Sequence, residues 1–157
     1  MSDRLRQLAV RIREELEDLN RAVERVCEGW RRTQLLDDDY YLDSVALNLH
    51  SFYGGLERIF ELIAVAVDGV KPEGENWHQT LLLQVAAERP SARPAVISES
   101  ICEQLDAYRG FRHVVRNVYT FKFDAAKVGI LVDGLSQLFS QLRAEIEAFA
   151  AFLEQQI

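Results

Sequence analysis

The sequence predicts an all-α fold, an antiparallel up-and-down helical bundle of about five helices. Apolar residues recur at spacings of three and four along three long stretches, as they do on one face of an α-helix. No segment shows the sustained alternation of apolar and polar residues that marks a half-buried strand. We find no internal repeat, low-complexity tract or linker, so residues 1–157 are expected to form a single helical domain.

The first half of the chain contains two long predicted helices. The first spans about residues 3–36, with apolar residues on one side and Arg and Glu on the other. Three aspartates at 37–39 supply an N-cap and favourable charge for a second helix over about residues 40–67. Gly54 and Gly55 each cost about 1 kcal/mol inside a helix. We therefore expect either a kink there or a neighbouring element packed closely against them.

The second half contains three further predicted helices. A loop over residues 68–75 is followed by a short helix that Asn76 caps. Pro90 and Pro94 exclude a continuous helix after it. The remaining predicted elements are a fourth helix that begins near residue 98, the turn at 122–127 that ends it, and a last long helix over about 124–155. The apolar stripes of the first and last helices suit either the core of one subunit or a dimer interface.

The composition narrows the functional classes. The chain has 48% hydrophobic and 27% charged residues, which is typical of an ordered globular protein. It has no apolar run long enough for a membrane span and no secretory signal, so we expect a cytoplasmic protein. Cys27 and Cys102 are too few for a disulfide framework and are expected to be reduced packing residues.

The histidines do not predict a metal site. His50, His78 and His113 lie on three different predicted helices without a carboxylate at ligand spacing. No Gly-rich nucleotide-binding loop is present either, so no metal or cofactor is expected. His50 adjoins the apolar stripe of the second helix, and we expect it to be a buried, hydrogen-bonded core residue.

Charge is distributed unevenly along the chain. The net charge of −7 argues against nonspecific wrapping of nucleic acid. Residues 106–127 carry five cations and two anions, a local charge of +3, whereas the remainder carries −10. A basic island on an acidic chain is typical of a localised site for a phosphate-bearing ligand. A solvated or ion-paired helix face would give the same pattern.

The segment at 104–124, QLDAYRGFRHVVRNVYTFKFD, concentrates the side chains with chemical potential. Its polar residues form two adjacent lines on the predicted helix, the first with Arg112, Arg116 and Tyr119, and the second with Arg109, His113 and Asn117. Guanidinium groups bind phosphate oxygens and stabilise developing negative charge, while His and Tyr move protons. The pattern therefore suits a phosphodiester. Alternatively, the arginines pair with acidic faces of other helices and the tyrosine packs.

The stretch YRGFRHVVRNVYTF resembles the signature helix of HEPN proteins, specifically of HepT-like ribonuclease toxins. That signature is an Arg, four residues, a His, one residue and a Tyr. Arg112 and Tyr119 match it, and Asn117 stands at the histidine position. Residues 48–64 and 74–84 are also similar to segments that HepT-like proteins carry in the same order. The resemblance covers about residues 40–135.

The resemblance implies a metal-independent endoribonuclease that acts on RNA as a homodimer, with both signature helices lining a shared cleft. It also implies a minimal nucleotidyltransferase that acts as antitoxin by adenylylating the motif tyrosine. By this correspondence Arg112 binds and polarises the scissile phosphate, and Tyr119 is the tyrosine that is modified. Arg109 and Arg116 are further candidates for contact with the RNA backbone.

Asn117 departs from the family signature. Its amide can hydrogen-bond to a phosphate or a 2′-hydroxyl group, but it cannot exchange a proton near neutral pH. His113, one helical turn earlier, is the expected substitute. Three interpretations follow: a ribonuclease that uses Arg112 with His113 and Asn117, a catalytically silent dimer that binds RNA or the nucleotidyltransferase, and a bundle whose arginine face is only an assembly surface.

Overall fold

A computed structural model describes residues 2–156, which form five α-helices and no β-strand. The helices are α1 (Ser2–Leu36), α2 (Tyr40–Ile63), α3 (Trp77–Ala86), α4 (Glu99–Asn117) and α5 (Ala125–Glu154). A π-helical turn, Ala64–Asp68, continues α2, and a 3₁₀ turn, Thr120–Lys122, precedes α5. The predicted all-α fold is confirmed.

Four long helices form the bundle, and α3 lies across the connection between α2 and α4. α1 packs against α2 and α5, and α4 packs against the same two helices. Arg13, near the start of α1, bonds to Glu154 at the end of α5, whereas Trp30, near the end of α1, meets Gly129 at the start of α5. These helices are therefore antiparallel. Short connections join α1 to α2 and α4 to α5, which gives the predicted up-and-down order.

α2 is the central helix, because it contacts α1, α3 and α4. A Cβ atom added at Gly55 would lie 2.7 Å from Leu19 Cδ2 of α1, while one at Gly54 would meet nothing within 4 Å. α2 continues through both glycines as regular α-helix. Of the two sequence-based alternatives, close packing therefore applies, at Gly55 alone.

A buried ion pair fixes the chain between α3 and α4. The side chains of Arg93 and Asp68 are both 0% exposed, and Arg93 donates to the two carboxylate oxygens at 2.6 and 2.9 Å. Arg93 also donates to the backbone carbonyls of Gln84, Ala87 and Pro94. Three segments therefore converge on one guanidinium group: the π-helical turn after α2, the end of α3 and the loop that follows it.

α4 ends earlier than the sequence predicts. The helix was expected to continue to the turn at 122–127, but Val118 and Tyr119 have extended backbone angles and α4 stops at Asn117. Val118 is β-branched and Tyr119 is aromatic, and both residue types favour extended backbone. In addition, the Asn117 amide donates to the His113 carbonyl, a local bond of the kind that competes with helical hydrogen bonding.

The structure also bears on the cysteines and on membrane-spanning segments. Both cysteines are free, and Cys102 is buried while Cys27 is partly buried. Among residues 2–156, no helix is long and apolar enough to cross a membrane.

Candidate functional site

A cleft of about 560 Å³ opens between the last turns of α4 and the start of α3. We call it the α3–α4 cleft. Its lining residues are Glu75, Asn76, His78, Gln79, Arg109, Arg112, His113, Arg116 and Asn117. Three arginines and one glutamate give this lining a net positive charge, although the whole chain carries −7. The lining itself is therefore chemically suited to an anionic ligand.

The α4 side of the cleft follows from helical periodicity. The polar positions recur at spacings of three and four, which turns them towards one side of α4. Arg109 bonds to Asp106 one turn earlier at 2.8 Å, so its charge is partly balanced. Among the described residues, Arg116 has no carboxylate within 4 Å. Its guanidinium charge therefore remains available to a ligand.

Tyr119 is the one predicted site residue that lies outside the α3–α4 cleft. The expected alignment of Tyr119 with Arg112 and Arg116 is wrong, because α4 ends two residues before it. Its side chain is 72% exposed and stacks on Phe121, with ring centroids 5.5 Å apart and an interplanar angle of 8°. The phenol is thus presented to solvent, two residues beyond Asn117, the last residue that lines the cleft.

His113 and Asn117 lie together at the exposed end of the cleft. Asn117 Nδ2 donates to the His113 carbonyl oxygen at 2.8 Å and lies 3.3 Å from His113 Nδ1. The amide is therefore held against its own helix. His113 Nε2 is the ring nitrogen that these contacts leave to a ligand.

A buried carboxylate and a histidine from other elements complete the cleft, and the sequence interpretation missed both. Glu57 of α2 is only 3% exposed, and its Oε2 lies 2.6 Å from Nδ1 of His78 on α3. His78 Nε2 lies 3.5 Å from Nη1 of Arg112. Arg112 Nε lies 3.7 Å from Glu57 Oε1 and has no hydrogen-bond partner among the described residues. Three elements thus bring a carboxylate, an imidazole and a guanidinium group together.

The sequence did carry a signal for Glu57. It lies four residues after Tyr53 and three before Phe60, both of which are fully buried, so a charged residue occupies the apolar stripe of α2. The link to His78 had no such signal, because it depends on how α3 packs against α2. Trp77 stacks on the His78 ring with centroids 3.7 Å apart, which restrains the imidazole further.

Neighbouring groups respond to the charges of this site. Burial, reinforced by the Glu57 charge, raises the pKa of Tyr53, whose buried hydroxyl has no hydrogen-bond partner. Burial, together with the charges of Arg112 and Arg116, lowers the pKa of His50 below its ordinary value of 6.5. His50 is half-buried rather than buried as expected, and the charges of Arg112 and Arg116 act on it.

The chemistry available in the α3–α4 cleft is anion binding and proton exchange. Guanidinium groups supply the first, and the imidazoles of His78 and His113 supply the second. Within residues 2–156, no group of three His, Cys, Asp or Glu side chains is arranged to hold a metal ion.

Comparison with known proteins gives one family. A family model described as HepT-like protein matches residues 44–153, more than half of the chain, and this range contains α3, α4 and the whole α3–α4 cleft. No curated protein and no solved structure matches. The family match confirms the resemblance found in the sequence.

Proposed function

The chain belongs to the HepT-like family of the HEPN superfamily, and on this premise we propose that it is a toxin-like endoribonuclease that cleaves RNA without a metal ion. The observation that carries the proposal is the α3–α4 cleft, where the Arg112 and Arg116 side chains meet two histidines. Such a group can bind a phosphodiester, stabilise its transition state and move protons.

In this proposal Arg112 and Arg116 bind the scissile phosphate and stabilise the negative charge that develops on its oxygens. Arg109 contacts a neighbouring phosphate of the RNA backbone. His113 exchanges a proton with the reacting oxygens, and Asn117 donates a hydrogen bond to the phosphate or to a 2′-hydroxyl group. No cofactor takes part.

The proposed active form is a homodimer in which both copies of α4 line a shared cleft. Exposed apolar side chains at the end of α4 and just beyond it support this arrangement: Val114 and Phe121. Burying them against a second copy would remove apolar surface from water. Light scattering or analytical ultracentrifugation tests the proposal, because a species that remains at 18.0 kDa across protein concentrations contradicts it.

The proposed antitoxin is a minimal nucleotidyltransferase that adenylylates Tyr119. The support in this chain is the match of Tyr119 to the family signature and its 72% exposure, which leaves the hydroxyl open to an enzyme. Coexpression with the cognate nucleotidyltransferase should add one AMP group to the intact protein mass. Tyr119→Phe should abolish that addition, and modification of the Phe variant would contradict the assignment.

Cleavage of RNA in the presence of a chelator tests the nuclease directly. Arg112→Ala and Arg116→Ala should each lower the rate, because each removes a charge from the cleft. Arg21→Ala is the matched control, since Arg21 is exposed on α1, which packs against α2 and α5. If Arg112→Ala and Arg116→Ala both cleave at the wild-type rate, the α3–α4 cleft is not the active site.

Asn117 favours a second candidate function. Because an amide stands where the family has its proton-transferring histidine, the alternative is a catalytically silent dimer that binds RNA or the nucleotidyltransferase. Asn117→His restores the family signature. RNA cleavage by this variant together with an inert wild-type protein would establish the silent form, whereas cleavage by the wild type excludes it.

A further inference from the structure

We propose that His78, positioned by Glu57, is the general base that removes the proton from the attacking 2′-hydroxyl group of RNA. This inference rests on the proposed ribonuclease function of the α3–α4 cleft. It assigns the removal of this proton to α3, outside the α4 signature, in which the amide of Asn117 cannot act as a base near neutral pH.

The contact with Glu57 sets the tautomer of His78. An ionised carboxylate only accepts hydrogen bonds, so the 2.6 Å contact requires the proton of the neutral imidazole to be on Nδ1. Nε2 then carries the lone pair. A carboxylate that holds an imidazole in this way fixes both its tautomer and its orientation, as in other carboxylate–histidine pairs that act in catalysis.

Nε2 remains available to a ligand. Among the described residues, its one neighbour in hydrogen-bond range is Arg112 Nη1, at 3.5 Å, the far limit for such a bond. His78 lines the α3–α4 cleft, and 24% of its side chain is exposed. The lone pair can therefore accept a proton from a hydroxyl group that enters the cleft.

The partners of the buried Glu57 carboxylate indicate what it does in the cleft. Removing a carboxylate from water is costly unless close partners compensate it. Arg112 is close but makes no hydrogen bond to Glu57, since its Nε lies 3.7 Å away and is unpartnered. The short bond of the carboxylate goes to His78. Glu57 is therefore placed to orient the His78 imidazole, and its contact with Arg112 is the weaker of the two.

His113 is less suited to the role of base. It is exposed, its ring contacts an amide rather than a carboxylate, and Asn117 Nδ2 approaches its Nδ1 at 3.3 Å. A phosphate bound by Arg112 lies next to His78 Nε2, because Arg112 Nη1 is the atom that faces that nitrogen. The 2′-hydroxyl group adjacent to the bound phosphate then comes within reach of His78.

The proposed step is an intramolecular transfer of the phosphoryl group from the 5′-oxygen to the 2′-oxygen. His78 Nε2 takes the proton of the 2′-hydroxyl group as its oxygen bonds to phosphorus, and the bond from phosphorus to the 5′-oxygen breaks. Protonated His113 gives its proton to the departing oxygen. The products are a 2′,3′-cyclic phosphate and a 5′-hydroxyl end, and proton exchange with water resets both histidines.

The test compares His78→Ala with His113→Ala on two RNA substrates. One is ordinary RNA, and the other carries a bridging sulfur in place of the 5′-oxygen at the mapped cut site. A departing thiolate needs no proton, so loss of a general acid matters little for the second substrate, while loss of a base still matters. His78→Ala should cleave both at least about 100-fold more slowly than wild type. His113→Ala should recover towards the wild-type rate on the sulfur substrate.

Added imidazole supplies an independent measurement. It should restore cleavage by His78→Ala, in which a cavity of the ring's size opens onto the cleft, and this rescue would show that the variant is folded. Wild-type rates in His78→Ala overturn the inference but leave the proposed ribonuclease standing. A defect of His78→Ala that disappears on the sulfur substrate overturns it as well. If the wild-type protein cleaves no RNA, the proposed function fails, and the inference fails with it.

Glu57 is tested as a positioning residue. Glu57→Gln keeps the size of the side chain and a carbonyl acceptor but removes the charge. ¹⁵N chemical shifts of the His78 ring should show the Nδ1-protonated tautomer in the wild type and a mixture of tautomers in Glu57→Gln. Cleavage should slow with little change in RNA affinity. An unchanged tautomer together with an unchanged rate would show that Glu57 has no positioning role.

Discussion

Replacing Arg93 by methionine should destabilise the fold strongly, because it leaves Asp68 buried without its main partner. Both side chains are 0% exposed, and Arg93→Met removes two hydrogen bonds to the carboxylate. Breaking a buried ion pair from one side costs about 3–5 kcal/mol. Gln84 still donates to Asp68 at 2.8 Å, and Arg89 lies 3.9 Å away, so we expect the lower end, about 3 kcal/mol.

Thermal unfolding followed by circular dichroism measures this effect. For a chain of this size each 1 kcal/mol lowers Tm by roughly 2–4 °C, so Arg93→Met should lower it by about 6–12 °C. Arg143→Met is the matched control. Arg143 also joins two helices, through Glu17, but this pair is exposed and should contribute less than about 1 kcal/mol. A cost below about 1 kcal/mol for Arg93→Met would refute the reasoning.

The pH dependence of the same variant checks the cause. Burial raises the pKa of Asp68, but hydrogen bonds from Arg93 and Gln84 and the charges of Arg93 and Arg89 outweigh it and lower the pKa below 3.8. A lowered carboxyl pKa contributes stability above the unfolded value, and this stability is lost as the pH falls through the folded value. The difference between wild type and Arg93→Met should therefore shrink below about pH 4. A constant difference would show that the ion pair is not its source.

Three further predictions concern separate features. Gly54→Ala should stabilise the fold by up to about 1 kcal/mol, measured by thermal unfolding, whereas Gly55→Ala should show no such gain because its methyl group meets α1. The pKa of His50, followed by NMR, should rise towards 6.5 in Arg112→Gln, and an unchanged titration would contradict the coupling. Tyr119→Phe should change the stability by less than about 0.5 kcal/mol, since the side chain is 72% exposed.

The fold was largely predictable because helical periodicity and turn residues are local signals. The apolar stripes of α1 and α5 and the prolines at 90 and 94 predict their elements correctly. The end of α4 was not predictable in the same way. The preference of Val118 and Tyr119 for extended backbone is too weak to end a helix by itself, and the Asn117 side-chain bond that competes with helical hydrogen bonding appears only in three dimensions.

The candidate site was predictable only along one helix. Spacing brings Arg109, Arg112, His113, Arg116 and Asn117 to one side of α4, and the structure places these five in one cleft. Their roles stay predictions. Glu57 and His78 are 21 residues apart on different helices, so no spacing rule links them. Long-range pairs of this kind depend on the packing of α3, which the buried Arg93 holds in place at the other end of that helix.

Arg112 connects the family signature to the residues that the signature does not contain. The family motif contains residues of one helix only. Judged by the motif alone, the replacement of its histidine by Asn117 removes the proton-transferring group. Arg112 adjoins both histidines that could transfer a proton instead. His113 follows it on α4, and His78 on α3 faces its Nη1. Only His78 has a carboxylate to fix its tautomer. Under the proposed mechanism, the imidazole of His78 serves the phosphate that Arg112 binds, so the cleft can keep a general base although Asn117 stands at the motif position.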